Sequence, residues 1–198
     1  MPLNFPLDIR FKILTLVPQL YVTDGAGQPF AYIRSRLFAL KEDITVFADD
    51  TMAVPQYKIN ADRIIDFNAS YGISEAATGR VLGSVRRRGA RSLWRASYDI
   101  FVGDRHVFNV SEKSVLVRFL DLLLGEIPVV GLLTGYFLNP AYLVHREGAG
   151  GEVIEMTKAR SFLESTFKIA KTGTMSDDEQ VVATLALMMI IFLERSRG

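Results

Sequence analysis

The stretch SDDEQVVATLALMMIIFLERSRG, from Ser176 to Gly198, places the strongest constraint on what this chain can fold into. Ser176 with Glu179 three positions on has the form of a capping box, and Asp177 and Asp178 put negative charge where a helix dipole is positive. A helix is predicted to start there. From Val181 to Leu193 only Thr184 interrupts the apolar and small residues, so no polar face emerges at a 3.6-residue period. Such a helix is either buried on every side or surrounded by lipid. A membrane span needs roughly 20 apolar residues, whereas a run of about 10–14 is more often a core helix. Glu194, Arg195 and Arg197 close this run early. The expectation is therefore a helix enclosed by its own protein, with no transmembrane span; a membrane anchor and an oligomer contact are the alternatives. The remainder of the chain must supply a shell.

A chain of 198 residues is long enough to bury a substantial core as one domain, and residues 1–198 are read as a single domain. The 23 basic and 22 acidic side chains nearly cancel, which argues against a wholly basic nucleic-acid binder and against an acidic tail. With no cysteine, disulfides, thiolate nucleophiles and cysteine metal sites are excluded, in keeping with a reducing compartment. The opening MPLNFPLDIRFKILTLVPQL mixes Asp8, Arg10 and Lys12 among its apolar residues and lacks the layout of a signal peptide. A cytoplasmic location is expected.

The shell reads as antiparallel strands. Short alternating segments recur between Phe11 and Lys171: FKILTL, LYVTDGAGQPFAYI, RLFAL, ITVFADD, YKINADRIIDFN, GRVLGSVRRR, WRASYDIFVGDRHVFNVSE, YLVHREGAGGEVIEM and STFKIAK. TDGAG, the Gly103-Asp104 pair and EGAGG supply the positive-φ residues of hairpin turns. One segment departs from this rhythm: Glu112 to Pro128 carries apolar residues at helical spacing and predicts a helix lying on the shell. A faint repeat links the stretches beginning at Tyr98 and Tyr142, with Tyr57 as a third candidate start. Repeated hairpins followed by one wholly apolar helix point to a closed sheet with that helix inside, since closure removes edges and covers the helix. From Asp177 to Glu194 the helix would be roughly 27 Å long, comparable to a barrel's height.

LNPAYLVHREGAGGEVIEMTKARSFLESTFKI followed by DDEQVVATLALMMIIFLERSRG resembles the C-terminal part of the LURP-one-related (LOR) family, and YIRSRLFALKEDITVFAD with GRVLGSVRRR and LWRASYDI resembles its N-terminal half. The likeness runs from about Val22 to Gly198. Phospholipid scramblases and the Tubby C-terminal domain are similar in fold to that family. What the resemblance implies is an all-β closed antiparallel barrel of about twelve strands around a buried C-terminal helix (residues 177–194), and, by way of the Tubby-like domains, binding of phosphoinositides through basic residues. The short terminal helix argues against lipid scrambling.

RVLGSVRRRGARSLWRASYDI is the strongest polar feature, with Arg80, Arg86, Arg87, Arg88, Arg91 and Arg95 around Trp94. Clustered guanidiniums attract phosphates and grip them bidentately, and each cation near an anionic membrane contributes about 1 kcal/mol. The plain alternative is a solvated strand face with Trp94 packed under a loop. Nucleic acid is not expected, because neither a reading helix nor a series of stacking aromatics accompanies the arginines. EGAGGEV reads as a hairpin turn, since a strand rather than a helix follows its glycines. Ser165 to Lys168 matches Ser-x-x-Lys by chance within a strand. His106 and His145 are expected on strand surfaces, with no metal site at a recognisable spacing. Asp49 with Asp50 reads as a turn, and Asp177 with Asp178 as a helix start. The leading expectation is a non-enzymatic module that needs no cofactor and recognises anionic phospholipid headgroups from a cytoplasmic, membrane-peripheral position. A soluble scaffold for a protein partner is the runner-up, and an enzyme with its site at the barrel mouth the third reading.

Overall fold

Alternation along a strand makes one face apolar and the other wet, and a succession of such strands leaves no open edge only where the sheet closes on itself. The computed structural model describes residues 3–12, 15, 17–34, 44–61, 70–88, 97–112, 141–148, 150–159 and 164–195. Its strands are β1 (Leu7–Lys12), β2 (Gln19–Thr23), β3 (Pro29–Arg34), β4 (Ile44–Phe47), β5 (Pro55–Ala61), β6 (Ser70–Glu75), β7 (Val81–Arg87), β8 (Ser97–Val102), β9 (Arg105–Glu112), β10 (Ala141–Arg146), β11 (Glu152–Ala159) and β12 (Glu164–Lys171). Each pairs antiparallel with the next, and β1 pairs with β12 to close a twelve-stranded barrel. The expected architecture is the observed one.

Helix α1 (Asp177–Arg195) follows β12. Every residue from Val182 to Phe192 is at most 3% exposed. At 3.6 residues per turn that run covers all sides of the helix, so the barrel wall surrounds it. Gly83 of β7 shows how tight the fit is: a Cβ there would stand 2.0 Å from the Phe101 carbonyl oxygen and 3.0 Å from Val182 Cγ1. At the other end Phe192 meets Phe11 edge-on, with ring centroids 5.4 Å apart. Inward residues such as Ile9, Leu20, Ile33, Val85, Ile100 and Ile154 complete the core, while Arg10, Lys58, Arg86 and Lys168 point outward to water. That is the reverse of a transmembrane barrel, whose outer band is apolar. Among the described residues no helix is long and apolar enough to cross a membrane.

The helix start fixes one rim of the barrel. Ser176 N–H donates to Glu179 Oε2 (2.8 Å) and Glu179 N–H to Ser176 Oγ (3.3 Å), the predicted capping box. Buried Gln180 accepts from Leu3 N–H through Oε1 (3.2 Å) and donates through Nε2 to the Met175 carbonyl (3.1 Å), tying the N-terminal segment to the helix entry. Three sequence readings differ from the structure. β6 was not among the expected strands: Ser70, Gly72 and Ser74 dilute its pattern, and only Tyr71 and Ile73 fill the inward positions. Glu112 ends β9 rather than opening a helix, and the rest of the helix expected up to Pro128 lies outside the described residues. Tyr98 and Tyr142 both open strands running toward the helix-entry rim, whereas Tyr57 opens β5, which runs away from it, so the third repeat start is out of phase with the other two.

Candidate functional site

Strand β7 and the residues that flank it carry four of the six arginines singled out in the sequence, Arg80, Arg86, Arg87 and Arg88, and divide them. Arg80 precedes the strand at the helix-entry rim, and Arg86 stands six residues on, roughly 20 Å along an extended chain. At the entry rim Arg80 Nη2 and Nε donate to Glu75 Oε1 at 2.7 and 3.3 Å, Thr78 Oγ1 donates to Glu75 Oε2 (2.6 Å), and Asp178 of the helix lies 3.9 Å from Arg80 Nη1. The Arg80 hydrogen bond, followed by the Thr78 bond, holds the Glu75 carboxyl below its usual range. Arg80 is thus engaged in the β6–β7 turn.

Alternation separates the remaining three. Arg86 is exposed on the outer wall, its guanidinium 5.2 Å from the Phe101 ring centroid. Arg88 also reaches the outer wall: its Nε is 2.7 Å from Asp99 Oδ1 and an Nη2 donates to Asn109 Oδ1 at 2.7 Å. The Arg88–Asp99 contact is an ion pair whose angles fall outside hydrogen-bond geometry. From there a polar ladder climbs the wall: Asn109 Nδ2 donates to Glu147 Oε2, and His106 sits between Asp99 (3.3 Å) and Glu147 (3.7 Å) while stacking on Phe101. Arg87 points the other way. Its cross-strand partner is Tyr98, which is 1% exposed, and its half-buried side chain leaves Nε buried without a hydrogen-bond partner among the described residues. Arg91, Trp94 and Arg95 lie outside the described residues.

Asp99 and Glu147, the carboxylates on either side of His106, were not singled out from sequence; for Asp99 the signal was the alternation of YDIFVGDRHVFNV, which puts it opposite Asn109 on one face. Arg146 was missed too. Its Nη1 and Nη2 donate to Glu179 Oε1 and Oε2 at 2.9 and 3.1 Å, Nη2 also donates to the Thr174 carbonyl, and the guanidinium lies over Phe108. The Arg146 hydrogen bond, aided by the Ser176 N–H and against the effect of burial, lowers the pKa of Glu179. Nothing in the local pattern links residues 33 positions apart.

The lesser candidates take their expected places. Ser165 is buried in the wall's inner face and Lys168 exposed on the outer one, because positions three apart in a strand face opposite ways. Gly148 has a φ of 83° in the β10–β11 turn. Asp49 accepts from the Thr51 N–H and hydroxyl within a turn. His106 and His145 lie on strands β9 and β10. Among the described residues no group of three or more His, Asp or Glu side chains is placed to hold a metal.

No protein-family model and no curated protein matches the chain. Among solved structures it is similar to a protein from Arabidopsis thaliana determined by X-ray crystallography, with 14% identity and a TM-score of 0.49 over 96% of this chain and 93% of that one.

Proposed function

We propose that this barrel is a non-enzymatic binding module that recognises anionic phospholipid headgroups, phosphoinositides among them, through the far end of β7 from a peripheral position on a cytoplasmic membrane face. The observation that carries the reading is the contrast along that strand: Arg80 and Arg88 are ion-paired with Glu75 and Asp99, whereas Arg86, although opposite Asp99 in the register, and Arg87 form no ion pair with a described carboxylate. An unmatched guanidinium that is half buried is costly unless an anion or water satisfies it, and a phosphate reaching the strand's end meets Arg86 from outside the wall and Arg87 from within it. The resemblance to the LOR and Tubby-like families supports the same chemistry.

Co-sedimentation with phosphatidylcholine vesicles, alone or doped with phosphatidylserine or phosphoinositide, tests it. Wild-type protein and Arg80→Ala are expected to pellet with anionic vesicles at low salt, and Arg86→Ala/Arg87→Ala to bind far more weakly. Equal binding by the double variant would remove β7 from the site, and no binding by wild type would turn attention to a protein partner.

A further inference from the structure

The wall diametrically opposite β7 carries a second set of cations that form no ion pair among the described residues. β1 and β7 are six strands apart in either direction round the ring of twelve. On β1 and its neighbours the register places Arg10 beside Thr166 of β12 and Tyr21 of β2, Lys168 beside Asp8, and Arg34 of β3 beside Gln19. Arg10, Arg34 and Lys168 are all exposed, and none forms an ion pair with a described carboxylate. Unlike Arg86 and Arg87, which face opposite sides of their sheet, these three share one outward face. Asp8 and Lys12 stand among them, Lys12 with its ammonium 4.9 Å from the Tyr21 ring centroid.

We propose that the outer wall of β12–β1–β2–β3 is a second contact for an anionic phospholipid surface, and that the barrel therefore bridges two such surfaces. This inference rests on the β7 reading for its first contact. Two observations favour lipid headgroups over single-stranded nucleic acid as the occupant. Arg10 and Lys168 lie two positions apart in register across adjacent strands and Arg34 sits two strands away from Arg10, a spread that meets several dispersed phosphates of a surface. Base stacking needs open aromatic faces, but the Tyr21 ring is covered by Lys12 and lies 4.8 Å from Tyr32, itself only 3% exposed. With charge on opposite sides of a rigid barrel, one flat bilayer engages one wall and leaves the other for a second.

The test uses full-length protein with phosphatidylcholine vesicles containing about one third phosphatidylserine, followed by sedimentation for binding and light scattering for clustering, with circular dichroism to verify each fold. Wild type is expected to bind and to cluster the vesicles. Removing three cations in Arg10→Ala/Arg34→Ala/Lys168→Ala lowers the affinity of that wall about 100-fold, so this variant and Arg86→Ala/Arg87→Ala should each bind single vesicles and fail to cluster them. Clustering by the triple variant at the wild-type level, or wild-type binding without clustering, overturns the second wall and leaves the β7 reading intact. Loss of all binding in Arg86→Ala/Arg87→Ala overturns the second wall alone, and no binding by wild type overturns both. A fluorescent oligonucleotide bound by wild type and released by the triple variant would reassign the wall to nucleic acid.

Discussion

The two ends of β7 hold the same residue type in opposite circumstances. At the helix-entry rim the charges are matched: Arg80 with Glu75, Arg146 with Glu179, and the helix cap closes around them. At the other end Arg86 lies over an aromatic ring and Arg87 turns into the wall, its Nε without a hydrogen-bond partner among the described residues. Matched charge fixes where the helix enters, and unmatched charge is what a ligand can complete. An arginine run in a strand is therefore not a patch: alternation, strand length and the ion pairs that its members form decide which of them remain available.

Both ends depend on the helix that joins them, so breaking it should cost the most. Leu187 is fully buried midway along α1, and Leu187→Asp places an unpaired carboxylate there at a cost of several kcal/mol against a total stability of about 5–15. The variant should show no cooperative thermal transition by circular dichroism. A soluble, cooperatively melting Leu187→Asp protein would mean that the helix is dispensable and that the two ends are not held by one core.

This helix was also the most legible part of the sequence, because an apolar run with a capping box and charged ends leaves few places to go. Closure followed from it, and most strands from their alternation. β6 escaped because glycine and serine fill its outward positions. The site was less legible. Sequence places Arg80 with Arg86, Arg87 and Arg88, whereas the extended backbone moves Arg80 to the opposite rim; Arg88's partners Asp99 and Asn109 come from two other strands, and Arg146 meets Glu179 only because closure brings β10 to the helix start. Periodicity reports which face a residue takes, and pairing across a closed sheet reports what it meets there.

The next effect is on binding. With about 1 kcal/mol per cation near an anionic surface, Arg86→Ala/Arg87→Ala should weaken vesicle binding roughly 30-fold at low salt, and Arg80→Ala should leave it unchanged because Glu75 already engages that guanidinium. The gap should shrink as ionic strength rises and the Debye length falls. Vesicle sedimentation across a salt series measures this, and equal losses from Arg80→Ala would erase the contrast between the two ends.

Smaller in energy is the matched end's own contribution. Arg146→Ala removes two hydrogen bonds to Glu179 and one to the Thr174 carbonyl and should cost about 1–2 kcal/mol at neutral pH. The pH dependence has a definite sign. Glu179 has a lowered folded-state pKa, chiefly through Arg146, so its contribution is present above the ordinary glutamate value and is lost as pH falls through the folded one. The stability difference between wild type and Arg146→Ala, from urea unfolding, should therefore be full at pH 7 and narrow below about pH 4. A difference that stays constant with pH would assign the loss to packing on Phe108 instead.

The smallest effect has the opposite sign. Arg87 keeps part of a charged side chain out of water with no carboxylate among the described residues to offset the cost, and it stands opposite buried Tyr98 in the register. Arg87→Met retains the stem and discards the charge, so it should raise stability by roughly 0.5 kcal/mol, or about 1–2 °C in Tm for a chain of this length. Vesicle binding should fall in the same protein, because a residue kept for a ligand is one the fold alone would exchange. Differential scanning calorimetry with sedimentation on one preparation reads both. A lower Tm with unchanged binding would show that Arg87 supports the wall as Arg146 supports the cap, and the two ends of the barrel would then differ in geometry but not in role.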